Sequence, residues 1–251
     1  MRLEFMRPHQ IRAATAANIP AVLPIGVQKY HGEHLPVGVD LLAVTRTVER
    51  LEAEASERLI LLPAFACGAA SHAVAGPAGT GTLHVEATSF LPFAQNLFSG
   101  LLNIGFRNIH GIIHHQTENF RQGMPTDLTF RLAARQATFA HLEAVRGKGW
   151  WGRGEMAEYY QGHASGENPY NWISIHPLMP PEVAGHLPFD HSGEGETALM
   201  LALAPELVEP ARMAANDAWY TATAPRATAA QGAAGVAVIM HHLRGLLGLV
   251  S

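Results

Sequence analysis

The most constraining feature of this 251-residue chain is the alternation of short, uninterrupted apolar runs with longer segments of helical periodicity. Residues 21–25 (AVLPI) are apolar throughout and end at Gly26; residues 59–63 (LILLP) and 109–113 (IHGII) repeat the pattern. A strand covered by helices on both faces reads this way, because neither of its sides meets water. Between the runs, residues 40–55, 87–105 and a segment from Thr126 and Asp127 to about Val145 carry apolar residues three and four apart. Asp40 stands where a cap belongs and Gly105 where a helix stops. Helices are also predicted from Gly193 to Pro205 and over about 227–249. This alternation, without internal repeats, predicts one α/β domain over residues 1–251 with a mostly parallel sheet. Residues 147–175 differ: they are rich in glycine and aromatic residues, weakly periodic, and read as a lid-like excursion.

Hydrophobic residues make up 48% of the chain and charged ones 15%, enough apolar material for a sizeable core. No stretch approaches the run of about 20 apolar residues that a membrane span needs. A net charge of −4 gives no electrostatic case for nucleic acid. The opening MRLEFMRPHQ lacks the apolar core of a signal peptide, and a lone Cys67 excludes an internal disulfide, so a cytoplasmic location is expected. The unusual count is 15 histidines against 17 lysines and arginines, since imidazole is the commonest metal ligand among side chains.

Parallel sheets place their sites at the carboxyl ends of strands, which directs attention to the loops after the apolar runs. The first, Gly26 to Asp40, holds His31, His34 and Asp40 between glycines and a proline. Imidazole and carboxylate suit zinc, iron or manganese, although a solvated polar loop would read similarly. The run 109–113 is followed by His114, His115, Gln116, Thr117, Glu118 and Asn119. A third cluster runs from Asp190 to Thr197; there Ser192 and Glu194 can cap a helix, which leaves His191 unexplained.

In order and spacing these clusters resemble the creatininase family, also called creatinine amidohydrolases. Pro24 to Asp40 follows the family's P-x-G-S-x-E-Q-H-G-P-H-L-P-x-x-x-D, His114 to Asn119 stands at its N-G-H-x-[GE]-N, and His191 to Ala198 at its H-A-G-x-x-E-T-S. Residues 78–83 and 227–232 match two weaker segments. The resemblance implies a single three-layer α/β/α domain, usually in hexamers or similar rings. It also implies two divalent metals bridged by water and the loop aspartate, and hydrolysis of C–N bonds, often in cyclic amides or formamides.

Two positions depart from that pattern: Lys29 replaces a glutamate and Gln116 a histidine. In the family both serve mainly one metal, whereas His31, Asp40 and Glu118, which serve the other, are intact. The resemblance therefore implies a hydrolase of a small, cyclic, amide-like substrate with one zinc, iron or manganese ion per chain. The ion at His31, Asp40 and Glu118 polarises the carbonyl, Glu118 or Glu196 takes the water's proton, and His191 serves the leaving nitrogen or the oxyanion. Lys29, paired with Asp40, supplies positive charge in place of the second ion. His114 or His115 offers a replacement ligand, and His34 a support for the loop. Alternatives are a lyase or isomerase using Lys29, and a non-catalytic member kept for binding or assembly. The lid-like aromatics Trp150, Trp151, Tyr159, Tyr160, Tyr170 and Trp172 suit either stacking on a planar substrate or an oligomer interface. A small-molecule substrate and a homo-oligomer, with a hexamer favoured, are expected; nucleic acid, membrane and creatinine are not.

Overall fold

The computed structural model describes residues 1–74, 78–115, 120–164 and 168–250. Helix α1 (Pro8–Ala16) leads into β1 (Ala21–Gly26), α2 (Val39–Glu54), β2 (Ile60–Leu61) and α3 (Ala87–Ile104). Then come β3 (Ile109–His114), α4 (Pro125–Arg146), α5 (Tyr159–Ala164), β4 (Ile173–Pro177), α6 (Glu194–Leu203) and α7 (Ala229–Leu246). The strands form one parallel sheet in the order β2-β1-β3-β4, with Ala21 opposite Ile109 and Gly26 opposite His114.

The sheet is covered on both faces, so the continuous apolar runs are explained by burial. Val22 and Ile112 pack against Val44, Leu199 and Ile239 of α2, α6 and α7. Leu23, Ile25 and Ile113 face the other way, onto Phe98 and Phe130 of α3 and α4. Pro24 is tolerated inside β1 because β2 has already ended, so its missing N–H would have faced no strand partner. No helix among the described residues is long and apolar enough to cross a membrane.

Two elements went unread in the sequence. Helix α1 begins with Pro8, a residue preorganised for a first turn. Strand β4 falls inside the segment read as lid-like, so that segment supplies the fourth strand of the sheet. Its aromatics lie at the amino-terminal edge: Trp172 directly precedes β4, and Trp150 packs by Arg146 at the end of α4.

Gly26 fixes where the carboxyl edge meets α2. A Cβ there would stand 2.5 Å from the backbone of Leu41 and 2.7 Å from the carbonyl carbon of Asp40. The first turn of α2 thus rests on bare backbone, which holds Asp40 at the end of β1. Gly26→Ala is expected to destabilise the protein by about 1–3 kcal/mol, because neither backbone can yield without moving a whole element. Urea unfolding checks this, and an unchanged midpoint would show that α2 slides freely.

Candidate metal centre

His31, Asp40, His114 and Glu196 are brought together from the ends of β1 and β3 and the first turns of α2 and α6, all of them buried. Asp40 Oδ1 lies 3.3 Å from His31 Nε2, and Glu196 Oε2 lies 3.6 Å from the same nitrogen. His114 Nε2 is 3.6 Å from Glu196 Oε1, and His191 Nδ1 is 3.8 Å from Glu196 Oε2.

Hydrogen bonding orients these groups. His31 Nδ1 donates to the Lys29 carbonyl at 2.9 Å, which leaves the Nε2 lone pair aimed at the two carboxylates. Asn216 donates to His34 Nδ1 at 3.0 Å, so His34 Nε2 donates to Thr197 Oγ1 at 2.9 Å; His34 thereby ties the first loop to α6. Asp190, rather than Ser192, caps α6: its carboxylate accepts from the Gly195 and Glu196 N–H groups at 2.7 and 3.1 Å. Burial pushes the Asp190 carboxyl up to about 6. The Ser192 N–H donates to Glu196 Oε2 at 2.7 Å, while its hydroxyl is buried without a partner among the described residues.

Lys29 is buried with its ammonium 3.5 Å from Asp40 Oδ2 and 3.3 Å from His115 Nδ1. His115 Nδ1 lies 3.1 Å from Asp40 Oδ2 as well as beside Lys29, and its Nε2 is 3.3 Å from the Ala69 carbonyl. Asp40 therefore presents Oδ2 to the Lys29 ammonium and His115, and Oδ1 to His31. Burial alone would raise its carboxyl; the charge of Lys29, then His115 and His31, outweigh it and hold Asp40 well below the usual carboxylate range. For Glu196 the same burial is outweighed by His31, His114, Lys29 and His191, and its carboxyl also goes down. Burial lowers His191 to about 4, which keeps its ring neutral at pH 7.

The buried atoms lacking a hydrogen-bond partner test whether a cation fits. They include His31 Nε2, Asp40 Oδ1, both ring nitrogens of His114, and His191 Nε2. Such groups are costly when buried unpaired, and three of them, His31 Nε2, Asp40 Oδ1 and His114 Nε2, gather around Glu196 and one another. Two overlapping triads, His31–His191–Glu196 and Asp40–His114–Glu196, each keep their ligand atoms within 4.8 Å of one another. A lone pair facing two carboxylates is a donor set made for a divalent cation. Gln116 and Glu118 lie outside the described residues. His114 joining the cluster was left open by the sequence, since spacing does not say which of two adjacent histidines turns inward.

Above the cluster lies a cavity of about 270 Å³, lined in part by Lys29, Ala70, Phe189, His191 and Glu196. None of the lid-like aromatics lines it.

The family model for creatininase, creatinine amidohydrolase, matches residues 4–241. Three solved structures share the fold. A creatinine amidohydrolase (creatininase) is 19% identical with a TM-score of 0.69, covering 99% of this chain and 96% of its own. One described as "Creatininase Mn" is 18% identical with a TM-score of 0.70, over 98% and 96%. A putative creatinine amidohydrolase from Bacteroides fragilis NCTC 9343 is 18% identical with a TM-score of 0.63, over 98% and 94%. No curated protein sequence matches significantly. A parallel sheet with histidines and carboxylates gathered at its carboxyl edge defines a metal-dependent hydrolase of the α/β/α class. The chain belongs to the creatininase family and is an amidohydrolase.

Proposed function

We propose that the protein hydrolyses a C–N bond in a small, cyclic, amide-like molecule with one divalent ion per chain in place of the family's two. The division of Asp40 carries this reading: Oδ1 faces the unpartnered His31 nitrogen and Oδ2 faces the Lys29 ammonium. Solved relatives are described as manganese and Zn–Zn forms, which supports a divalent metal here. His31, Asp40 and Glu118, joined by His114 and Glu196, would hold the ion, as zinc, iron or manganese. When bound it supplies Lewis-acid polarisation of a carbonyl and activation of water.

The remaining roles fall to groups around the cavity. Glu196, ionised and pinned by the Ser192 N–H, serves the ion; Glu118 remains the candidate to take the water's proton. His191 is neutral and lines the cavity, so it would first accept the proton that Glu118 takes from the water and then pass it to the leaving nitrogen. Lys29 keeps Asp40 ionised and brings positive charge to the cavity wall, where an oxyanion develops. Borohydride treatment with carbonyl substrates is expected to leave Lys29 unmodified; a trapped adduct would favour a lyase or isomerase instead.

Creatinine is expected to be hydrolysed no faster than by a metal-stripped control, because its turnover in the family uses two ions. A robust rate from purified protein would show that Lys29 and Gln116 are immaterial to the family reaction.

We further propose a homo-oligomer, with a hexamer favoured. Leu128, Leu132 and Phe139 of α4 and Phe93 and Ile104 of α3 are exposed along neighbouring helices, an apolar stripe of the kind that subunits cover. Light scattering is expected to give a multiple of 27.0 kDa, and a monomeric mass at micromolar protein would refute it. The single cysteine suits a reducing compartment, the cytoplasm.

A further inference from the structure

A second cavity, about 550 Å³, opens at the amino-terminal ends of the strands, on the edge opposite the histidine cluster. Its walls include the residues just before three strands: Asn18 before β1, Arg107 and Asn108 before β3, and Trp172 before β4. Arg146, the last residue of α4, stands beside them. The six residues of β3 separate this edge from His114, about 20 Å of strand, so one small molecule cannot touch both places.

Arg107 is held in place. Its Nη1 donates to the Leu102 and Phe106 carbonyls, both at 2.8 Å, and its Nη2 to His141 Nε2 at 3.0 Å. The guanidinium sits 4.6 Å from the centre of the Trp172 ring. Of the five N–H donors of an arginine, three are thereby used; Nε–H and one Nη2–H have no partner among the described residues. Arg146 has its Nη1 3.1 Å from Met156 Sδ and its guanidinium 5.1 Å from the Trp150 ring. Among the described residues neither arginine has a carboxylate within ion-pair distance, and none of those lining the cavity is acidic. Asn108 spends one amide hydrogen on the Asn18 carbonyl at 3.0 Å and keeps the other.

We propose that this cavity is a second ligand site, for a phosphorylated small molecule whose phosphate lies between Arg107 and Arg146. Two positive charges without a carboxylate in ion-pair distance among the described residues match a group carrying about −1.5 to −2 at neutral pH. Arginine forks suit phosphate oxygens, and a single carboxylate would leave one cation unmatched. The volume exceeds that of phosphate alone, so the rest of the ligand meets Asn18, Asn108 and the Trp172 wall. With the metal cluster a strand's length away, the molecule bound here is an effector or stabiliser and not the substrate.

Titration calorimetry with glycerol 3-phosphate, inorganic phosphate, glycerol and succinate tests the site. Glycerol 3-phosphate is expected to bind once per chain, inorganic phosphate more weakly, and glycerol not at all. Arg146→Gln is expected to weaken binding by about tenfold or more while metal content and hydrolysis stay unchanged. Arg107→Gln should do the same; because Arg107 also holds two backbone carbonyls, the Arg146 variant carries the test if that protein misfolds. His31→Ala should leave phosphate binding intact. The proposal is overturned by absence of saturable binding at millimolar glycerol 3-phosphate, or by an unaltered affinity in Arg146→Gln. Equal affinity for succinate, or loss of binding in His31→Ala, overturns it as well.

Discussion

Elemental analysis of the purified, metal-replete protein is expected to give about one divalent ion per chain. One ion can sit among the unpartnered atoms of His31, Asp40 and His114, beside the Glu196 carboxylate; the other side of Asp40 is taken by the Lys29 ammonium. A lysine cannot ligate while protonated, and Glu-to-Lys moves the local charge by two units, about what removal of a divalent ion requires. His31→Ala is expected to abolish metal binding and hydrolysis together, because the Nε2 lone pair is the nitrogen held between both carboxylates. The double substitution Lys29→Glu with Gln116→His restores the family pair and should raise the metal content toward two. Two tightly held ions in the wild type would defeat the one-ion reading. So would none under metal-replete conditions, which would make Lys29 the sole cation of the site.

Lys29→Met is expected to lower the stability of the chelator-treated protein by roughly 3–5 kcal/mol, the usual cost of stripping a buried charge of its partner. Both members of the pair are almost fully buried, with Lys29 5% and Asp40 0% exposed, so solvent cannot screen what remains. Without the ammonium, burial would push the Asp40 carboxyl up against only His115 and His31. The loss should be fullest near neutral pH, where Asp40 would have to stay charged, and shrink as acid protonates it. Urea unfolding at two pH values reads this directly. Added divalent metal should recover part of the loss, since an ion that binds only the folded chain stabilises it by mass action. A change within about 0.5 kcal/mol, ordinary for a surface substitution, would mean that Lys29 arose by drift with no partner role.

How legible the molecule was depended on the range over which each feature is encoded. The loop from Pro24 to Asp40 could be read because His31, His34 and Asp40 are spaced within one segment. Strand β1 could be read because burial on both faces leaves no polar residue to break its run, and β3 because His110 alone interrupts an otherwise apolar one. Strand β4 could not: it is an edge strand with only Ile173 fully buried, and its Ser174 and His176 interrupt the apolar signal. The direction of His114 was equally hidden. Side chains alternate along a strand, so His114 shares the face of Ile112, the side on which α6 carries Glu196. The next residue, His115, leaves the strand and turns toward Lys29 and the Oδ2 side of Asp40. Only the three-dimensional placement of α6 makes that alternation meaningful. The capping of α6 by Asp190 was missed for a related reason, because its partners lie five and six residues on, beyond the usual box.

The backbone contact at Gly26 bears on when in its life the protein acquires its ion. Asp40 is set by the seating of α2 on β1 and is neutralised by Lys29, so no metal is required to bring the carboxylate into position. Small metal-nucleated domains behave in the opposite way and remain unfolded until loaded. A newly made chain of this protein would therefore pass as native whether loaded or empty. The active fraction in a cell would then follow the supply of free metal at each moment, with no stock of empty chains removed as misfolded.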